Sequence, residues 1–300
     1  MTRALVTGAA GFIGGALVRS LLSRGWEVHA LLGQTCRVAA LEDVRERLGL
    51  HSHDGSMAGM EAILAATKPD IVFHLASLFL SEHRPDDIEG LIRSNILLST
   101  QLTEAMTLAG STRLINTGTS WQHFERADYR PVNLYAATKQ CFEDILSFYH
   151  DARGLSCTTL KLFDTYGSGD SRGKLISILM EAAQQGRALD LSPGGQVVDL
   201  LHVEDVVEAF RLAAERLLAA PEPILDAFLL SGTRLTLREL VECLQRATGK
   251  QVQANWGARA YRNREVMVPQ VPGETLPGWT AKVELTKGLA DGFRAMEASR

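Results

Sequence analysis

Cysteine is scarce in this chain of 300 residues, with four in all. Cys36, Cys141, Cys157 and Cys243 show no Cys-x-x-Cys or paired spacing. That pattern excludes a disulfide framework or a zinc ribbon and suits free thiols in a reducing cytoplasm. Long apolar runs are also missing. The longest, Ile71 to Leu80, is interrupted by His74 and is too short to span a bilayer, so no membrane partner is expected. The first strand is expected from about Arg3, which leaves no room for a signal peptide ahead of it in this sequence. A basic face is absent as well. The net charge is −4 and the basic residues are scattered, which argues against a nucleic-acid partner. His51, His53 and Asp54 come close to a ligand set, but no further ligand types cluster with them. No metal is expected, and the two histidines read as surface residues. Repeats and low-complexity segments are lacking.

What remains is an ordinary globular composition, 46% apolar, arranged in alternating strand and helix patterns. Ala4–Thr7, Glu27–Leu32, Ile71–Leu75, Arg113–Thr117 and Ser156–Phe163 read as buried strands. Between them Gly11–Ser23, a segment carrying Val38, Leu41, Val44 and Leu48, then Ala58–Thr67, Leu91–Ala109 and Asn133–Tyr149 read as amphipathic helices. This alternation predicts an α/β fold, a doubly wound parallel sheet covered by helices on both faces. The pattern loosens after Gly167. A flexible loop over 167–173 and a Pro193-Gly194-Gly195 turn are expected there. Leu175–Gln185, Asp205–Ala219 (capped by Glu204 or Asp205) and Leu237–Thr248 read as helices, and the last fifty residues as an irregular lobe rich in Gly, Pro and Trp.

Two stretches carry chemistry. Val6-Thr7-Gly8-Ala9-Ala10-Gly11-Phe12-Ile13-Gly14 runs from a strand into a glycine-rich turn and a helix. In such a turn Gly8 permits the tight bend, Gly11 a close backbone approach and Gly14 close helix–sheet packing, so a pyrophosphate can sit at the helix N-terminus. Tyr135-Ala136-Ala137-Thr138-Lys139 places a phenol and an ammonium one helical turn apart. An ammonium near a phenol favours the phenolate and suits proton transfer. Thr119, at the end of the strand before this helix, can hydrogen-bond a substrate oxygen. The second strand ends in Leu32-Gly33-Gln34 with no acid to accept from a ribose 2′-hydroxyl, and Arg37 follows. That combination favours NADP(H) over NAD(H).

These residues resemble the extended short-chain dehydrogenase/reductase family, the NAD(P)-dependent sugar epimerases and dehydratases, over most of the chain. Gly8, Gly11 and Gly14 look like its cofactor turn, to which Phe12 and Ile13 belong. Phe73-His74-Leu75-Ala76-Ser77 looks like the strand beside the nicotinamide half. Asp54 stands where the family's adenine-contacting Asp usually stands, and Thr119, Tyr135 and Lys139 match its catalytic set. Asp164-Thr165-Tyr166-Gly167 resembles a sugar-nucleotide segment that ordinarily starts with Asn. Leu201–Val206, Ser231–Leu240 and Leu276–Trp279 resemble later structural segments.

Within the family the chain looks closest to the nucleotide-linked deoxysugar 4-ketoreductases, the abequose and paratose synthases among them. The 4,6-dehydratases follow their active-site Thr with Asp-Glu, whereas here Ser120 and Trp121 follow it. The resemblance implies a Rossmann domain over 1–165 to which 196–230 returns. A smaller discontinuous substrate lobe is implied over 166–195 and 231–300. It further implies a nucleotide-sugar held by Ser120, Trp121, Asp164 and Arg262, with Arg264 also in the lobe where a diphosphate needs a positive partner. Lys139 is expected to lower the Tyr135 pKa and hold the cofactor ribose. The helices Leu91–Ala109 and Asn133–Tyr149 resemble those of a homodimer interface. The expected reaction is NADPH-dependent reduction of a 4-keto-6-deoxysugar. A 4-epimerase with tightly kept NAD, and more distantly an NADP-sensing regulator without chemistry, are the alternatives.

Overall fold

In the computed structural model, which describes residues 1–33 and 38–298, the apolar segments assemble into one large sheet and two small ones. The first strands are β1 (Arg3–Thr7), β2 (Glu27–Gly33), β3 (Leu48–His53), β4 (Ile71–His74), β5 (Arg113–Thr119) and β6 (Ser156–Leu162). They are followed by β7 (Asp164–Tyr166), β8 (Leu189–Leu191), β9 (Val197–His202), β10 (Leu225–Leu230), β11 (Thr233–Thr236), β12 (Ala254–Trp256) and β13 (Glu274–Thr275). The large sheet has eight strands in the order β13-β10-β6-β5-β4-β1-β2-β3, with parallel pairing throughout. β1 sits between β2 and β4, so the chain reverses its direction of winding there. Ligands of open α/β sheets bind in the crevice that such a reversal leaves at the strand C-termini.

Helices cover both faces because the strands are apolar on both. α1 (Phe12–Ser23) and α7 (Val203–Ala219) pack on one face, burying Leu17, Leu21, Phe210 and Leu217 with Val6 and Phe73. α2 (Met57–Thr67), α4 (Leu98–Leu108) and α5 (Leu134–Arg153) cover the other, where Leu64, Met106 and Phe142 meet Leu5 and Leu114. α3 (Ile88–Ile92) reaches α4 through a π-helical turn at Arg93–Leu97. A separate apolar cluster joins α6 (Leu175–Gln185), α8 (Leu237–Thr248) and α9 (Leu285–Ala298). Of the segment 196–230, β10 enters the large sheet, while β9 pairs with β7 and β11 in a three-stranded sheet.

The structure corrects several expectations. Residues Val38–Arg47 form 3₁₀ turns instead of an α-helix, and Leu48 begins a strand. That strand was hidden because Gly49 breaks its alternation. A Cβ at Gly49 would lie 2.1 Å from the His29 ring, so a larger residue there would have to displace that ring. α7 starts at Val203 with His202 as its cap, whose ring accepts from the Glu204 N–H, in place of Glu204 or Asp205. Asp205 instead accepts from the Lys282 and Val283 N–H groups, tying the C-terminal region to α7. The last fifty residues contain the regular helix α9, because Leu285, Leu289 and Phe293 recur at helical spacing. His53 is buried, not a surface residue.

Candidate active site

Strand C-termini place the site. β1 ends at Thr7, whose hydroxyl accepts from the Leu75 and Ala76 N–H groups at 3.2 and 3.1 Å and pins the end of β4 against the glycine turn. In that turn Gly8 has φ +69, and a Cβ there would lie 2.7 Å from the Ala76 nitrogen. A Cβ on Gly14 would lie 2.1 Å from the Gly8 carbonyl. The turn therefore has room for backbone only, and α1 opens from its cap at Gly11 without a side-chain partner for its N–H groups. This cradle fits a dinucleotide pyrophosphate.

Gly8, Gly11, Phe12, Ile13 and Gly14 line one wall of a cavity of about 690 Å³. Leu75 and Ser77 line it from the loop after β4, and Thr119, Ser120 and Trp121 from the end of β5. Tyr135 and Lys139 face it from the first turns of α5, and Asp164 from β7. Ala76 supports the turn from behind and does not line the cavity. Asp54 lies at the end of β3, away from the cavity, where its carboxylate accepts from the Ser56 N–H at 2.8 Å and hydroxyl at 2.7 Å. Those hydrogen bonds hold it below the usual carboxylate range. Arg262 lines two adjoining cavities of about 410 and 480 Å³, pairs with Glu265 at 2.9 Å, and lies 5.6 Å over the Trp121 ring. Arg264 is otherwise employed. It donates to the Val132 and Pro131 carbonyls and stacks 4.3 Å from Phe124. Arg37 lies outside the described residues.

α5 starts at Asn133, whose side chain accepts from the Ala136 N–H and donates to the Leu80 and Ser81 carbonyls. The cap thus fixes both α5, which carries Tyr135 and Lys139, and the loop after β4. Burial pushes the Tyr135 phenol up to about 12, against a hydrogen bond with Ser77 and the charge of Arg172. The expected depression by Lys139 does not appear: the lowering influences come from Ser77 and Arg172, and desolvation outweighs both. Lys139, 3% exposed, is pulled down to about 8 by burial, with the Glu143 carboxylate opposing. The Thr119 oxygen accepts from the Trp121 N–H at 3.3 Å, which leaves its own O–H to donate.

Sequence reasoning missed several lining residues. Phe79 stands edge-on to Tyr135 at 5.0 Å and tilted to Trp121 at 5.6 Å. Arg172 and Lys174 enter from the loop after β7, with Lys174 4.4 Å over the Phe79 ring. Only that loop's flexible composition marked it, and its cations carried no motif. Asp164 opens onto the cavity between these groups. Surrounding protein raises its pKa, while Lys174 and Arg262 pull it back. Among the described residues no group of three or more His, Cys, Asp or Glu is placed to hold a metal ion, and no helix is long and apolar enough to cross a membrane.

Known proteins resemble this chain over nearly its whole length. A CDP-abequose synthase of Salmonella muenchen is 25% identical over 289 residues, 95% of this chain and 94% of its own length. A UDP-glucose 4-epimerase of Mycolicibacterium smegmatis is 28% identical over 316 residues, 96% of each chain. Among solved structures, the Thermus thermophilus UDP-glucose 4-epimerase in complex with NAD superposes with a TM-score of 0.81 at 26% identity, covering 98% of this chain and 99% of that one. The Thermotoga maritima UDP-glucose 4-epimerase with UDP-glucose gives 0.85 at 23% identity and 99% coverage of both, a likeness of fold. Residues 4–225 match the NAD dependent epimerase/dehydratase family. With the cradle, the Thr-Tyr-Lys set and the sheet order in place, the chain belongs to that family and is an NAD(P)-dependent enzyme of the short-chain dehydrogenase/reductase type.

Proposed function

We propose that the protein reduces the 4-keto group of a nucleotide-linked 4-keto-6-deoxysugar, with NADPH as the preferred donor. The observation that carries this reading is the run Thr119-Ser120-Trp121 on the cavity wall beside Tyr135 and Lys139. A hydroxyl and an indole stand where the dehydratase resemblance calls for an acid pair. Neither exchanges protons readily near neutral pH, so elimination of water lacks its machinery while carbonyl reduction keeps all it needs. The CDP-abequose synthase relative supports the same choice.

In this reading the glycine cradle and Lys139 hold the dinucleotide, which supplies the hydride when bound. Tyr135, kept protonated by burial, gives its proton to the oxygen of the reduced carbon. Thr119 donates to the same oxygen and fixes its direction. Arg172, Lys174 and Arg262 give the cleft its positive charge for a diphosphate. Ser120, Trp121 and Asp164 contact the sugar, and the smaller lobe around α6, α8 and α9 closes over it. The protein is a cytoplasmic homodimer in this proposal, paired through α3, α4 and α5.

The test is a panel of nucleotide-4-keto-6-deoxysugars with NADPH, followed by loss of the reduced-nicotinamide absorbance. A second reading, 4-epimerisation, is favoured by the UDP-glucose 4-epimerase relative. Cofactor retained through purification, and interconversion of 4-epimers without net NADPH use, would establish it and reject reduction.

A further inference from the structure

Behind Thr119 lies a buried ionic network that neither the motifs nor the resemblance assigns. Glu143 sits one helical turn beyond Lys139 on α5. One of its carboxylate oxygens pairs with Lys161 Nζ at 3.2 Å, with side-chain exposures of 16% and 10%. Lys161 Nζ also donates to His123 Nε2 at 2.9 Å. His123 Nδ1 faces the Ala127 carbonyl at 3.2 Å, so the proton sits there and Nε2 is the acceptor. The other Glu143 oxygen accepts from Gln122 Nε2 at 2.8 Å. Gln140 Oε1 accepts from the same amide at 2.8 Å. With its nitrogen so engaged, Gln122 turns Oε1 to the Thr119 N–H at 2.9 Å. Gly118 seals the arrangement, since a Cβ there would lie 2.9 Å from the Lys161 stem and 3.1 Å from Gln122 Oε1.

An ion pair largely withdrawn from solvent adds little net stability, and apolar replacements of similar volume are often as stable. What it does supply is fixed geometry. We propose that Glu143 is a positioning residue: held by Lys161 and His123, its carboxylate orients Gln122, and Gln122 sets the turn that presents the Thr119 hydroxyl to the substrate oxygen. This rests on the reading of Thr119 as a hydroxyl that binds substrate.

Glu143→Gln alone leaves Lys161 buried and unpaired and is expected to destabilise the fold. The informative protein combines Glu143→Leu with Lys161→Met. It is expected to melt within a few degrees of wild type and to bind the dinucleotide within about threefold. Its kcat should fall roughly 10-fold, the scale of a misplaced contact group, with KM changed less than about threefold. In a Thr119→Val background the same pair of changes should cost less than about twofold, because the effect passes through Thr119. Hydrogen exchange needs no substrate. The Thr119 amide should exchange at least about 10-fold faster in the Glu143→Leu/Lys161→Met protein. Unchanged exchange at Thr119 overturns the proposal. So does an equal further loss of kcat in the Thr119→Val background, which would place the effect on Lys139. Failure of the wild type to turn over any 4-keto sugar rejects the proposed reaction instead and leaves the exchange result to decide this one.

Discussion

At the scale of single residues the site is set by desolvation. Tyr135 and Lys139 are both pushed toward their neutral forms, the phenol up to about 12 and the ammonium down to about 8. A phenol kept protonated is a donor, the role that reduction requires. Tyr135→Phe keeps the ring and its edge contact with Phe79, so folding and dinucleotide binding should persist while turnover drops roughly 10²–10⁴-fold, the usual worth of a general acid. Near-normal turnover in that variant would hand the proton to Thr119.

In the proposed role Lys139 carries a cost. A lysine titrates near 10.5 when unfolded and near 8 here, so the folded protein binds fewer protons between those values and stability rises with pH across that window. Below pH 8 the buried charge opposes folding by about 3 kcal/mol. Lys139→Met should therefore raise the melting temperature at pH 7 while losing turnover and dinucleotide affinity. A lower melting temperature at pH 7 would contradict this. Cofactor choice belongs at this scale too. Arg37→Ala should weaken NADPH binding by about 1–3 kcal/mol and leave NADH nearly unchanged, since only the former carries a 2′-phosphate. Equal or better wild-type kinetics with NADH would reject the preference.

At the scale of elements, the join between β1, β4 and α4 depends on His74. Its Nδ1 accepts the Thr7 hydroxyl at 2.9 Å and its Nε2 donates to Ser99 at 2.8 Å. Burial, helped by the Lys139 charge, pulls the ring down to about 3. The unfolded chain takes up a proton near 6.5 that the folded one refuses, so stability falls as pH drops from about 6.5 toward 3. His74→Gln should be less stable at pH 7, having lost a hydrogen bond, yet its stability should fall less steeply between pH 6 and 4. The slope should ease by up to about 1.4 kcal/mol per pH unit, one proton's worth. Chemical denaturation at each pH measures this, and identical slopes would show that His74 is not the titrating group.

Elements also show where sequence stops being legible. β1, β4, β5 and β6 read clearly because strands buried on both faces are continuous apolar runs. The glycine turn and the Tyr135–Lys139 spacing read clearly because their constraints are local. β3 was obscured by Gly49 and its histidines, whose placement depends on His29 in the neighbouring strand. Arg172 and Lys174 reach the cleft only because β7 turns there. The Glu143–Gln122–Thr119 chain joins residues from α5 and the end of β5 that no spacing rule connects.

At the scale of the whole molecule, the outer faces of α3, α4 and α5 carry large exposed apolar side chains. Ile88 is 44% exposed, Ile92 41%, Leu108 64% and Phe148 59%, all on these helices. Large apolar groups exposed on adjoining helices mark association surfaces more often than isolated ones do. In the proposed homodimer they meet their counterparts across a two-fold axis, where a single residue contributes twice. The chain should then run in solution at twice its 32.7 kDa. Pairing Leu108→Glu with Phe148→Glu should give monomers, because four buried charges cost several kcal/mol without partners. Since α5 carries Tyr135 and Lys139 at its opposite end, the monomer should retain dinucleotide binding but lose thermal stability in a concentration-independent way, whereas the wild-type melting temperature rises with protein concentration. Sedimentation equilibrium decides it. A wild type that sediments as a monomer at micromolar concentration, with a melting temperature independent of concentration, would reject the homodimer.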